Sequence, residues 1–320
     1  MAQSIDSVQY ILDMLPGWIQ DAINAYPDVE EIAMDIGRSL SIYDGKHSIS
    51  IDKIVNKEDL TYLIHRIGEP REDNRVGIDR TLHRISMIRD RYGDFVGCTI
   101  RFARYVKGIA EPLRPQIMSS TGLMLIGPPG VGKTTLLRDI VRILAEELGQ
   151  KVVVVDTSNE IAGDGKIPHR CIGQARRIQV PKQSEQGKVL MQAVANHGPE
   201  VVVVDELGFH EDVANMITIS RRGVKSVATV HGTILKDIIE NPALAPLLGM
   251  DLNKKRISRP IFGSAAEIRK RGEVYLHPNL AESVDQILSD AEVNCYPIGL
   301  GLPVPEEAEN TPEVLTPSRK

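Results

Sequence analysis

Long apolar runs are missing from this chain. Stretches such as 152–155 and 201–204 hold four valines each, far short of the ~20 residues that carry a helix across a bilayer. No basic stretch near the N-terminus leads into an apolar segment, so no secretory signal is read and the expectation is a soluble chain without its own targeting signal. Cysteine is scarce: Cys98, Cys171 and Cys295 stand far apart, odd in number and without a C-x-x-C pair. That excludes a disulfide framework and a cysteine zinc site, and fits a reducing compartment. An overall basic excess is also lacking. The net charge of −5 argues against a protein whose whole surface is a nucleic-acid footprint. The charge is unevenly spread, however. Residues 1–65 carry eleven acidic against four basic side chains and residues 66–114 eleven basic against seven acidic, which makes the second stretch a local basic region.

What is present is enough for two globular domains. A length of 320 residues sets that prior, and 42% hydrophobic residues suffice for a buried core in each. The stretch that organises the chain is Gly127, Pro128, Pro129, Gly130, Val131, Gly132, Lys133, Thr134 and Thr135. It meets the G-x-x-x-x-G-K-[ST] pattern, whose backbone N–H groups cradle phosphates while the lysine reaches the β/γ oxygens and the hydroxyl holds Mg²⁺. The apolar run 123–126 precedes it. Leu136, Leu137, Ile140, Val141, Ile143, Leu144 and Leu148 then repeat at helical spacing, and Gly149 follows as a stop. A strand, loop and helix N-terminus in that order place positive dipole and free N–H groups around a polyphosphate. An ordinary Gly-Pro turn would not need that context.

Taken in order, residues 5–26 read as a helix pair or a kinked helix broken at Pro16-Gly17. Alternation of Ile32, Met34 and Ile36, then Leu40, Ile42 and Tyr43 before Asp44-Gly45, then Ile49 and Ile51, reads as strands with a hairpin. A short helix is expected over 58–67, and a second hairpin from 83–88 and 95–102 around Arg91-Tyr92-Gly93-Asp94. Residues 1–105 are thus expected to form a small α+β domain, and 106–121, with Pro112, Pro115 and little periodicity, a linker. Residues 122–290 alternate short apolar runs (123–126, 152–155, 177–180, 201–204, 226–230) with helical patterns. Valine runs without polar alternation indicate strands buried on both faces, hence an α/β domain of three layers around a mainly parallel sheet. A last unit is expected to be extended at 274–277 and helical over 279–288, and the Pro- and Glu-rich stretch 303–320 is expected to be a disordered tail.

Several strand ends could carry chemistry. Val204 is followed by Asp205 and Glu206, a pair suited to phosphoryl transfer: the first acid orients Mg²⁺, and the second polarises the attacking water. The run 152–155 ends in Asp156, followed by Thr157, Ser158, Asn159 and Glu160. Asp156 either caps the turn or belongs to the site, and Glu160 competes with Glu206 for the role of base. His231, after the run 226–230, either senses phosphate or is structural. Arg176, Arg177, Arg221 and Arg222, with Arg75, Arg80 and Arg84 of the first domain, are candidates for an arginine that reaches a neighbouring subunit's γ-phosphate, or are solvated charges. The second hairpin interleaves Tyr92, Phe95, Phe102 and Tyr105 with Arg89, Arg91, Arg101 and Arg104, which suits stacking on single-stranded nucleic acid or simply packing.

Together these stretches resemble the stage III sporulation protein AA family, most closely its cyanobacterial and plastid branch. The carrying residues are Asp73-Asn74-Arg75, the run from Arg80 through Thr81, Leu82, His83, Arg84 and Ile85 to Ser86, the loop from Gly127 to Leu137, and the run from Asp156 to Gly165. They continue with Ala175-Arg176-Arg177, Asp205-Glu206 and His231-Gly232. That family is in turn similar to the ring-forming ATPases of secretion and pilus machines, which have a phosphate loop, an acidic box, a second acidic strand end and a histidine box in this chain order. The resemblance implies a RecA-like P-loop ATPase fold, ATP with Mg²⁺, hexamers in which an N-terminal domain helps close the site, and a cytoplasmic or plastid-stromal location. By that analogy Glu160 falls in the acidic box and His231 in the histidine box. Some plastid-branch relatives carry a C-terminal domain that binds single-stranded nucleic acid, which the Pro/Glu-rich end of this chain does not match. Three readings follow: an ATPase using Lys133, Thr134, Asp205 and Glu206, with work unknown; a nucleic-acid translocase using the basic hairpin; and a nucleotide-gated scaffold, against which an intact Glu206 argues.

Overall fold

A computed structural model describes residues 8–103, 105–251 and 253–300. The stretch 303–320, expected to be a disordered tail, and Arg104 of the basic hairpin lie outside the described residues.

The N-terminal part runs α1 (Gln9–Leu12), α2 (Gly17–Asn24), β1 (Glu31–Asp35), β2 (Ser39–Tyr43), β3 (Ser48–Ile54), α3 (Lys57–Ile67), β4 (Arg75–Gly77), β5 (Arg84–Arg89) and β6 (Phe95–Arg101). Its strands form one antiparallel sheet in the order β3-β2-β1-β6-β5-β4. Strict alternation explains why the sheet has a single wet side: Ile32, Met34, Leu40, Ile42, Ile85 and Ile100 are fully buried on one face, while their neighbours along β1 and β2 stay partly exposed. The helices cover the buried face. Asn56 and Asp59 form a capping box that starts α3, and the Trp18 indole N–H donates to Asp59 at 2.8 Å, tying α2 to α3.

The second part continues with α4 (Arg114–Ser119), β7 (Gly122–Gly127), α5 (Lys133–Leu148), β8 (Val152–Asp156), β9 (Arg176–Gln179), α6 (Gln186–His197), β10 (Val201–Val204), α7 (His210–Arg221), β11 (Lys225–His231), α8 (Leu235–Glu240), β12 (Ser264–Lys270), β13 (Glu273–His277), α9 (Leu280–Leu288) and β14 (Tyr296–Gly299). Its sheet has the order β14-β13-β12-β7-β11-β10-β8-β9, parallel from β12 to β9 and antiparallel at β13 and β14. The valine runs work as expected. Val152, Val154, Val201 and Val203 enter one core with α5, whereas Val153, Val155, Val202 and Val204 enter a second core on the opposite face. Each such side chain contributes about 2 kcal/mol on burial. The chain leaves β7 through α5 on one face and returns through α6 and α7 on the other. The C-terminal ends of β7, β10 and β11 therefore open a crevice where ligands of α/β sheets bind.

The stretch 106–121 differs from its expectation as a linker. It packs against α5, with Ile109, Ala110, Leu113 and Ile117 at most 1% exposed. The reason is Asp139 of α5, fully buried, whose carboxylate accepts from the backbone N–H of Gly108 at 3.1 Å and of Ala110 at 2.8 Å and pairs with Arg142 at 2.6 Å. Strands β4, β12 and β14 were not expected from the sequence pattern.

The two parts also meet through the loop that follows β8. Arg71 pairs with Asp164 at 2.9 Å, and Arg80 N–H donates to the Ile167 carbonyl at 2.9 Å. Gly163 makes this approach possible: its φ is +83°, and a Cβ there would lie 2.1 Å from the Thr81 carbonyl oxygen.

Candidate nucleotide site

The phosphate-binding motif forms the turn between β7 and α5. Gly130 (φ +79°) and Gly132 (φ +100°) supply the left-handed backbone that lets the loop curl over the start of α5. Lys133 is then the first residue of that helix, 8% exposed. Its ammonium donates to the Gly127 and Pro128 carbonyls at 2.6 and 2.8 Å and faces His231 Nδ1 at 3.5 Å. Burial lowers its pKa, while Glu206 and Asp205 oppose the shift.

Around the loop lies a cleft of about 440 Å³, within the range of small-molecule sites. Its walls bring together Pro129, Gly130, Gly132, Lys133, Thr134 and Thr135 of the loop with Glu160, Asp205, Glu206 and His231. Gly127, Pro128 and Val131 do not line it; the first two serve as lysine acceptors instead. The His231 Nε2 lies 3.0 Å from Glu206, so an Nε2-protonated ring donates to that carboxylate and accepts from Lys133 at Nδ1. The pairing of β7 with β11 sets this meeting, since His231 stands opposite Gly127 in register.

The acids differ in setting. Asp205 is 5% exposed; burial, reinforced by the charges of Asp156 and Glu160, pushes its pKa up to about 8. Asp156 does not line the cleft. It is fully buried and caps the loop, accepting from Ile161 N at 3.2 Å and Ala162 N at 2.8 Å, with its pKa raised to about 6 by burial. Glu160 faces Arg84 of the N-terminal part at 3.6 Å, and its carbonyl takes two bonds from Arg138.

Two cleft residues escaped the sequence reading, Arg138 and Thr229, and a third, Ser158, was read there only as part of the stretch after Asp156 and given no role. Arg138 follows Thr134 by one helical turn, and that spacing is the signal that could have found it.

Three of the arginines named as candidates for reaching a second subunit engage groups of their own chain. Arg177 donates to the carbonyls of Gly163, Gly165 and Lys166, Arg84 pairs with Glu160, and Arg75 lies 3.7 Å from Asp73. Arg221 and Arg222, at the end of α7 and just before β11, lie toward the N-terminal ends of the strands, away from the cleft. Most of the stacking surface read from the basic hairpin is spent on packing, although Tyr92 at its turn is 83% exposed. Phe102 and Tyr105 are buried at 5% and 2% exposure, Arg89 stacks on Phe95 at 3.9 Å, and Arg101 pairs with Glu31 at 2.7 Å. Bases cannot reach buried rings.

A family model described as sporulation stage III, protein AA matches residues 81–270. The chain belongs to that family. It is 38% identical over 304 residues to the uncharacterized protein ycf45 of Porphyra purpurea, covering 88% of this chain and 54% of the relative. With the protein SEEDLING PLASTID DEVELOPMENT 1 of Arabidopsis thaliana it shares 40% identity over 299 residues, covering 87% of this chain and 44% of the relative. The chain thus spans about half the length of these curated relatives. Among solved structures, the pilus retraction motor PilT with bound ADP superposes with a TM-score of 0.54 at 18% identity, covering 72% of this chain and 69% of PilT. The fold is therefore that of the RecA-like secretion and pilus ATPases. Among the described residues, no helix is long and apolar enough to cross a membrane.

Proposed function

We propose that this family member hydrolyses ATP with Mg²⁺ in the cleft between β7, β10 and β11. The observation that carries the reading is the convergence of Lys133, at the head of α5, with Asp205, Glu206, Glu160 and His231. In this reading Lys133 turns from the loop carbonyls to the β/γ-phosphates, and the loop N–H groups bind the remaining oxygens. Glu206, hydrogen-bonded to His231, takes the proton of the attacking water; Glu160 is the alternative base.

The donor set fits Mg²⁺. Among the described residues no group of three or more His, Cys, Asp or Glu could hold a metal by itself, whereas Mg²⁺ takes one or two protein oxygens and completes its shell with phosphate and water. Thr134 and Asp205 would hold it, and it would neutralise charge on the phosphates. The ring that the family resemblance implies is proposed as a hexamer, the work as motor or remodelling work. The plastid named in the Arabidopsis relative supports a stromal or equivalent cytoplasmic location.

The test is the ATPase rate and solution mass of the purified protein with Mg²⁺, beside Lys133→Ala and Glu206→Gln. Wild type should turn over ATP at least tenfold faster than either variant and gain mass with nucleotide. Equal, slow rates for wild type and Glu206→Gln would remove the ATPase reading. A mass that stays monomeric would remove the ring.

A further inference from the structure

The direction of the Glu206 side chain is set by the two peptide planes that flank it, and both are tied down. The Asp205 carbonyl accepts from the Thr229 hydroxyl, and the Leu207 N–H donates to the Thr229 carbonyl at 2.9 Å. The Glu206 carbonyl accepts from the Gln186 amide at 2.8 Å. Thr229 belongs to the adjacent strand β11. Gln186 belongs to neither strand: it is the first residue of α6, 2% exposed, and no feature of the motif marks it.

Its amide makes two further bonds. Nε2 also donates to Asp212 Oδ2 at 2.8 Å, in the first turn of α7, and Oε1 accepts from the Thr157 hydroxyl. Two acceptors face the nitrogen and a hydroxyl faces the oxygen, so the amide orientation follows from the network. Only an amide offers that combination of donors and acceptor in one plane. Thr157 in turn begins the loop that carries Ser158 and Glu160 into the cleft. One buried side chain thus joins the loop after β8, the loop after β10 and the start of α7. The helix end that carries it is fixed too: a Cβ at Gly187 would lie 2.5 Å from Asn215 Nδ2, so α6 is pressed directly onto α7.

We propose that Gln186 is a positioning residue that holds Glu206 in register with the Glu160 loop, so that both carboxylates face the same point of the cleft. The proposal rests on the ATPase reading for its catalytic consequence, but its structural content does not. A glutamate here keeps the acceptor for Thr157 and replaces the donor by an acceptor facing the Glu206 carbonyl and Asp212. A leucine removes all three bonds at similar volume.

The experiment compares Gln186→Glu, Gln186→Leu and Thr157→Val with wild type in three measurements: kcat, the affinity for a fluorescent ATP analogue with Mg²⁺, and amide hydrogen exchange resolved to residues 206–208. The two Gln186 variants should lose at least about tenfold in kcat while nucleotide affinity stays within about twofold. Exchange at 206–208 should rise by a similar factor, with the interior of α5 unchanged. Thr157→Val, which cuts only one of the three bonds, should lose less in kcat than either. Should wild type prove no faster than Glu206→Gln, the ATPase reading falls and exchange at 206–208 still decides the positioning role. Unchanged exchange there in a folded Gln186→Leu protein overturns the proposal. A parallel loss of kcat, affinity and α5 protection also overturns it, because that pattern means general loosening.

Discussion

Replacing Asp205 by Asn should make the ligand-free protein more stable at alkaline pH and leave it nearly unchanged in acid. The unfolded chain ionises this carboxyl near 3.8, whereas in the folded cleft burial holds the proton until about 8. Between those values folding takes up a proton, so stability falls as pH rises through the window; below it the group costs nothing, and above it the cost is constant. Asn is neutral and of the same shape, so it imitates the protonated acid at every pH. From pH 6 to pH 8 the stability difference between Asp205→Asn and wild type should therefore widen by roughly 2 kcal/mol, somewhat under two pH units' worth of ionisation free energy because the folded carboxyl is itself half ionised at pH 8. Urea unfolding at pH 6, 7 and 8, extrapolated linearly, measures it. Parallel pH profiles for the two proteins would refute the reasoning, because they would mean that Asp205 is already ionised in the free cleft. The same linkage gives a second reading of one group. Titration calorimetry at pH 7 in buffers of different ionisation enthalpy should show Mg²⁺ and ATP together releasing about one proton from wild type and none from this site in the Asn variant.

Asp139→Ala should cost about 2–4 kcal/mol in urea unfolding, since it leaves the Gly108 and Ala110 N–H groups without their acceptor and removes one of the three carboxylates around Arg142, which keeps Glu111 and Glu146; a loss under about 1 kcal/mol would mean that the 106–121 segment is held by its apolar contacts alone. Gly163→Ala should lower the urea midpoint far more than Gly37→Ala. Both glycines have positive φ (+83° and +81°), but a Cβ at Gly37 meets nothing within 4 Å whereas one at Gly163 meets the Thr81 carbonyl. Equal midpoints would deny the close approach of the two parts.

Strands whose two faces are both buried announce themselves as unbroken valine runs, and for that reason β8 and β10 were legible with the acids at their ends. The helix α5 was legible from its period and from Gly149. Strand β12 was not: Ser264, Ala265, Ala266 and Glu267 carry no apolar period, and their burial comes from pairing with β7, far back in the chain, on one side and with the next strand, β13, on the other. The 106–121 segment was missed for a similar reason, because one carboxylate on α5 replaces the periodicity that local reading looks for. The site divides along the same line. Lys133, Asp205, Glu206 and His231 were readable because their chemistry is in their side chains and their place is a helix start or a strand end. Arg138, Thr229 and Gln186 were not, because what they hold are the backbone carbonyls of Glu160, Asp205 and Glu206. A carbonyl has no residue type, so sequence marks the acids but not the groups that aim them. Exchange of Gln186 or Thr229 would leave the whole phosphate-loop and acid motif intact while changing the angle at which its carboxylates meet.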